Sequence, residues 1–160
     1  MRKVVKGAAI GAVVVAAVPV GLALALRSGN RRVIDAIRSA NRSLVNPVML
    51  RTAGQEGSFM AVVHHRGRTT GIQYATPVIG VEGEGGYLIP LTYGTGVDWL
   101  QNLMAAESGS IEVDGEMHPV FAPSAVRIED VSDQLTARVR TACRLFGVTE
   151  LAQLEVAPLA

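Results

Sequence analysis

The stretch Ser58-Phe59-Met60-Ala61-Val62-Val63-His64-His65-Arg66-Gly67-Arg68-Thr69-Thr70-Gly71, continued by Gln73-Tyr74-Ala75-Thr76-Pro77-Val78-Ile79-Gly80-Val81, decides the fold class. Its β-branched and apolar residues carry the period of strands, and the glycines between the two runs mark a turn. The reading is a strand over Ser58–His65, a turn over Arg66–Gly71 and a strand over Gln73–Val81. Pro77 has no N–H for a central ladder, so an edge or a bulge is its expected place.

Downstream the pattern continues. Glu82–Gly86 reads as an acidic hairpin turn and Tyr87–Thr92 as a third strand. Tyr93-Gly94-Thr95-Gly96 is a loop that opens onto a short helix, Val97–Ala106. Ser110–Val113 and Met117–Ala122 read as a hairpin closed by Asp114-Gly115, with Ala125–Glu129 as a sixth strand. Asp130 is expected to cap a helix running through Phe146, with Val131, Leu135, Val139 and Cys143 on one face and Gly147 as its stop. The last dozen residues are apolar enough for a short strand or helix. The expected class is α+β, mainly antiparallel, with one compact domain over residues 48–160.

Upstream the chemistry changes. Gly7–Leu26 is an uncharged run of 20 residues, about the length that crosses a bilayer. Arg2, Lys3 and Lys6 precede it, and Arg27, Arg31 and Arg32 follow. A retained transmembrane helix, as a membrane anchor over residues 1–28, is the expectation. A cleaved signal peptide ending near Ala23-Leu24-Ala25 fits the same run, but basic residues at once after it resemble a stop-transfer flank. Residues 29–47 form the next segment. Within it Asn30–Val45 sets Val33, Ile34, Ile37, Leu44 and Val45 against Arg31, Arg32, Arg38 and Arg42. That is an amphipathic basic helix, suited to lipid headgroups or to packing on the domain. Asn46-Pro47 ends it. Positive charge is heavier after the apolar run, which favours a single span in the plasma membrane with the domain on the cytoplasmic side.

Net charge is +1, yet residues 1–56 hold nine Lys/Arg against two Asp/Glu, and residues 57–160 hold six against twelve. A basic stretch beside an apolar run points to anionic membrane lipid as a partner and away from nucleic acid. The single cysteine, Cys143, excludes an internal disulfide. Adjacent His64 and His65 on a strand point to opposite faces. With His118 they give no ligand spacing, so no metal is expected.

The Arg66–Gly71 turn concentrates arginines, hydroxyls and glycines, an anion-binding composition. The Tyr93–Gly96 loop adds an aromatic ring, a hydroxyl and glycines before a helix N-terminus. Nothing in the chain forms a hydrolytic nucleophile–base–acid set, and no phosphate loop of the GKS/GKT type occurs. By elimination, a bound cofactor has to carry any chemistry.

His65-Arg66-Gly67-Arg68-Thr69-Thr70-Gly71, Ala75-Thr76-Pro77-Val78, Gly85-Gly86-Tyr87, Tyr93-Gly94-Thr95-Gly96 and Asp98-Trp99-Leu100-Gln101-Asn102-Leu103 match, in order and spacing, a known pattern. Over roughly residues 45–128 the chain resembles the deazaflavin-dependent nitroreductase and quinone reductase family. The resemblance implies a split β-barrel of the flavin-reductase type and an oxidoreductase. It implies coenzyme F-420, a deazaflavin with a phosphate and a polyglutamate tail, as hydride donor. A lipophilic small molecule, a quinone or a nitro compound, is the implied acceptor. Residue by residue, it implies Arg68, Thr69 and Thr70 at the coenzyme phosphate or tail, and Thr76, Pro77 and Val78 along the deazaflavin ring. Tyr93, Gly94 and Thr95 would form the other wall of the phosphate site, with Tyr93 also the candidate proton donor. Trp99 and Asn102 would brace loop and helix, or serve simply as barrel plug and helix cap. The family's nitroreductases set several tyrosines near the C-terminus beside their substrate; none stands here, which favours a quinone acceptor. A homodimer stays open. The rivals are a barrel binding FMN or haem, and a membrane-tethered barrel that binds a fatty acid or other lipid without redox turnover.

Overall fold

The computed structural model describes residues 28–40 and 46–156. The apolar run Gly7–Leu26, with its anchor reading, lies outside these residues. Among the described residues, no helix is long and apolar enough to cross a membrane. The elements run α1 (Arg31–Ala40), α2 (Asn46–Met49), β1 (Ala61–Arg66), β2 (Gln73–Val78), β3 (Val81–Gly83), β4 (Gly86–Pro90), α3 (Asp98–Ala106), β5 (Ser108–Val113), β6 (Glu116–Arg127), α4 (Ala137–Phe146) and β7 (Glu150–Val156).

The strands form one seven-stranded sheet in the order β2-β1-β5-β6-β7-β4-β3, and each neighbouring pair is antiparallel. β2 and β4 are five places apart, about 24 Å in a flat sheet at ~4.8 Å per step. Val78 at the end of β2 and Ile89 of β4 nevertheless belong to one core cluster. The sheet therefore curls into a half-barrel, as a split barrel requires. Val63, Ile111, Val120 and Leu154 line the concave face, and Trp99, Leu100 and Leu103 of α3 plug it. Each side chain so buried contributes about 1.5–3 kcal/mol. A smaller cluster covers the opposite face of β4 and β7, where Leu88 and Leu151 meet Val131 and Leu135.

Local chemistry explains the joints. Asp114 (φ 54°) and Gly115 (φ 83°) take the left-handed pair of a type I′ turn, so the β5–β6 hairpin closes where the sequence places it. Thr136 caps α4 by accepting from Val139 N, and Gly147 (φ 68°) ends it, its N–H donating to carbonyls of the last turn.

Several boundaries differ from the sequence reading. The strand expected over Gln73–Val81 is two strands. Val78 is the last partner of β1, and Val81 already pairs with Leu88 of β4. Met117–Ala122 and Ala125–Glu129 are a single strand, β6, with a register shift between Phe121 and Ser124 that absorbs Pro123. The helix expected from Asp130 begins at Ala137. Residues 130–135 form turns that deliver Val131 and Leu135 to the outer face of the sheet. The terminal segment is a strand, β7, paired on both sides. The amphipathic helix is described over Arg31–Ala40, whereas residues 41–45 lie outside the described set.

At Gly86 of β4 there is no room for a side chain: a Cβ built there collides with the Leu154 carbonyl of β7. Backbone cannot step aside as a flexible side chain does, so Gly86→Ala should destabilise the fold by about 1–3 kcal/mol. Urea unfolding of the variant measures it; an unchanged midpoint would show that the two strands separate freely.

Candidate functional site

A cavity of about 690 Å³ opens between the β1–β2 turn, the inner face of β2, the end of β4 and the start of α3. One end is polar, with Arg68, Thr69 and Thr70. The opposite wall is apolar, with Pro77, Val78, Ile79, Ile89 and Leu91. The dimensions suit a ligand of coenzyme or drug size.

The turn owes its shape to short-range bonds. Gly67 N donates to Ile72 O and Gly71 N to Gly67 O, each at 2.8 Å. Gly71 takes φ 68°, a left-handed conformation that favours glycine. Arg66 Nε donates to Gly71 O at 2.7 Å, which binds that side chain into the turn's own frame. Arg68 is turned toward α3. Its backbone N and its Nη1 both donate to Asn102 Oδ1, at 3.1 and 2.8 Å. Its Nη2 meets Asp98 Oδ1 at 3.3 Å. Asp98 and Asn102 stand one helical turn apart, so a single face of α3 presents both to one guanidinium.

Beneath this pair lies His65, which is 5% exposed. Asn102 Nδ2 is 3.0 Å from its Nδ1, and Thr76 Oγ1 is 3.1 Å from its Nε2. The Tyr74 ring stacks on the imidazole with centroids 5.7 Å apart, and the Tyr74 hydroxyl is 3.3 Å from Thr70 Oγ1. Burial, against a weaker opposing pull from Asp98, lowers the His65 pKa to about 4. His64 does point the other way, with Nε2 3.1 Å from Glu112 Oε2.

The opposite lip is the Tyr93–Gly96 loop. Gln101 Nε2 donates to Thr95 O at 3.0 Å, and Arg38 Nη2 of α1 donates to Gly96 O at 2.7 Å. Burial raises the Tyr93 pKa, so its phenol stays protonated at neutral pH.

Of the residues singled out from sequence, Arg68, Thr69, Thr70, Thr76, Pro77, Val78, Tyr93, Trp99 and Asn102 line this one cavity. Gly94 and Thr95 do not. They belong to the lip, Thr95 through its carbonyl. Trp99 is also a core residue. His65 escaped the sequence reading, which weighed it only as a metal ligand. The signal was its period: Ala61, Val63 and His65 share one strand face, and the first two are core. Among the described residues, no group of three or more His, Cys, Asp or Glu side chains is placed to hold a metal ion.

The sign of the His65 shift fixes a pH dependence. An unfolded chain takes up this proton near pH 6.5, the buried ring only near 4, so its contribution to stability is intact above 6.5 and is lost as pH falls from 6.5 toward 4. His65→Gln cannot take up the proton. The gap in urea midpoint between wild type and this variant should therefore narrow across that window. Parallel curves would mean that His65 is protonated as readily in the fold as out of it.

Neither protein-family models nor curated proteins give a match to this chain. Among solved structures it is similar to one described as "Structure of F420-H2 Dependent Reductase (FDR-A)", at 14% identity and TM-score 0.45, covering 61% of this chain and 94% of that one. It is also similar to one described as a domain-swapped dimer, at 13% identity and TM-score 0.47, covering 76% and 98%. Likenesses at this level assign no family.

Proposed function

We propose that the protein is an oxidoreductase that transfers a hydride from reduced coenzyme F-420 to a lipophilic acceptor such as a quinone or a nitro compound. The observation that carries this is the cavity's division into a cationic, hydroxyl-bearing end and an apolar wall. A coenzyme with a phosphate-bearing chain and a flat ring needs both ends at once. The donor set fits: a guanidinium and two threonine hydroxyls at one end, and Thr76, Pro77 and Val78 along the wall. Asp98 shares the guanidinium and reduces the positive charge offered to an anion, which gives more weight to the hydroxyl donors.

In this reading Arg68, Thr69 and Thr70 bind the phosphate-bearing chain, and Thr76, Pro77 and Val78 orient the ring while excluding water. When bound, the reduced deazaflavin supplies the hydride. Tyr93, protonated at neutral pH, holds a proton that can pass to the reduced acceptor. The Arg38 contact to Gly96 ties the loop that carries Tyr93 to α1.

Arg66 and Arg68 provide the test. Arg66 is bound into the turn and lies outside the cavity, whereas Arg68 lines it. Arg68→Ala should weaken coenzyme binding by a charge-assisted bond, about 1.5–3 kcal/mol, or roughly 10- to 150-fold in Kd. Arg66→Ala should do less. Fluorescence titration with the coenzyme decides; equal, small effects would mean the turn is only a solvated surface. If the coenzyme fails to bind while a fatty acid does, the lipid-binding reading replaces this one.

The acceptor is proposed from the sequence. The run Gly7–Leu26 and the basic segment after it would hold the domain against a bilayer, where quinones dissolve. Tethering raises the local concentration of such an acceptor without any new contact. Deleting residues 1–28 should release the protein from membranes and lower turnover of a vesicle-borne quinone, yet leave a water-soluble quinone analogue unaffected. Steady-state rates of both forms check this; an equal loss on both quinones would point to damage in the domain instead.

A further inference from the structure

The hydrogen-bond chain beneath Arg68 fixes more than the arginine. Asn102 Oδ1 accepts from two Arg68 donors, one of them a backbone N–H. An amide nitrogen cannot accept, so this orientation of the Asn102 amide is forced. Nδ2 then faces His65 and can only donate. His65 Nδ1 must be bare, which leaves the ring proton on Nε2, 3.1 Å from Thr76 Oγ1. The Thr76 oxygen is thereby an acceptor toward His65, and its own hydroxyl proton is directed elsewhere. Thr76 lines the cavity on the wall that continues into Pro77 and Val78.

We propose that His65 is a positioning residue which, as the Nε2–H tautomer set by Asn102 and Arg68, turns the Thr76 hydroxyl proton into the cavity and makes Thr76 a hydrogen-bond donor to a carbonyl or other acceptor atom of the bound ring. The arrangement biases ligands by polarity: the Thr76 proton, turned away from His65, favours a ring edge that bears an acceptor. It also links the two ends of the cavity, because the arginine at the mouth determines, through Asn102 and His65, which way a hydroxyl on the ring wall points. No proton is transferred; only orientations are set.

The inference rests on the coenzyme reading for its ligand but not for its geometry, and the two are tested apart. Long-range ¹H–¹⁵N spectra of the ligand-free protein should show His65 as the Nε2–H tautomer at neutral pH. Asn102→Asp replaces the donor by an acceptor. With Asp98, Tyr74, Thr76 and neighbouring His64 the other groups facing the ring, and Arg68 bound to the far side of residue 102, that change should move the His65 titration upward. Any carboxylate at this distance would raise the ring's pKa, so the shift verifies the contact and the tautomer separates positioning from packing. In binding, Thr76→Val should weaken oxidised coenzyme F-420 about three- to tenfold, the size of one neutral hydrogen bond, and Thr76→Ser should restore it. His65→Leu should weaken binding similarly, and the double variant His65→Leu/Thr76→Val no further than either single one. An Nδ1–H tautomer, multiplicative effects, or wild-type affinity in Thr76→Val would each overturn the inference. Failure of wild type to bind the coenzyme would overturn the functional reading instead, and the tautomer spectrum would then decide the inference alone.

Discussion

The fold depends on one apolar face of one short helix. Leu100 and Leu103 of α3 are both fully buried, and the sheet curls because its strands converge on them. Gly109, on β5, has no side chain where Leu103 comes to rest; a Cβ there would overlap the leucine's end. A seven-stranded antiparallel sheet could satisfy its hydrogen bonds while open. It curls because closing on the helix removes Val63, Ile111 and Leu154 from water together.

The same helix builds the site from its other side. At 3.6 residues per turn, Asp98 and Asn102 share a face roughly opposite that of Leu100 and Leu103. Seating the leucines in the curl therefore sets the register of the two polar side chains against Arg68. The polar cluster needs this precision. His65 and Asn102 are both 5% exposed, and none of the buried side-chain polar atoms among the described residues lacks a partner. A buried network of this kind is stable only when complete. Core packing and site geometry are one constraint, with α3 as the shared part.

Much of this was legible in the chain, and the rest was hidden for identifiable reasons. The Asp114-Gly115 pair declares its turn because few dipeptides tolerate two positive φ angles. The α3 boundaries were read to within a residue, and the opposed faces of His64 and His65 follow from strand geometry. The continuity of β6 was not legible, because Pro123 looks like an end until a bulge accommodates it. Val131 and Leu135 stand at helical spacing, yet residues 130–135 form turns. Both residues are needed on the outer face of β4 and β7, and the chain reaches it before the helix begins. At the site, a turn of arginines and threonines was visible as anion-binding chemistry. The role of His65 was not, since a single histidine in an apolar period carries no local mark of its partners on α3 and β2.

The strand order makes one element responsible for holding the two walls of the cavity in place. β2, β1, β5 and β6 form one hydrogen-bonded group, and β3 with β4 another; β7 alone joins them. It pairs Gly86 with Glu155 and Arg127 with Glu150, contacts that span up to about seventy residues of chain. The β1–β2, β3–β4 and β5–β6 hairpins are local, whereas the β1–β5 ladder and the pairing of β7 with β4 must close long loops. Without β7 no hydrogen-bonded ladder connects the two groups. The wall carrying Thr76 and the wall carrying Ile89 belong to different groups, so the cavity's width depends on a strand that lines none of it.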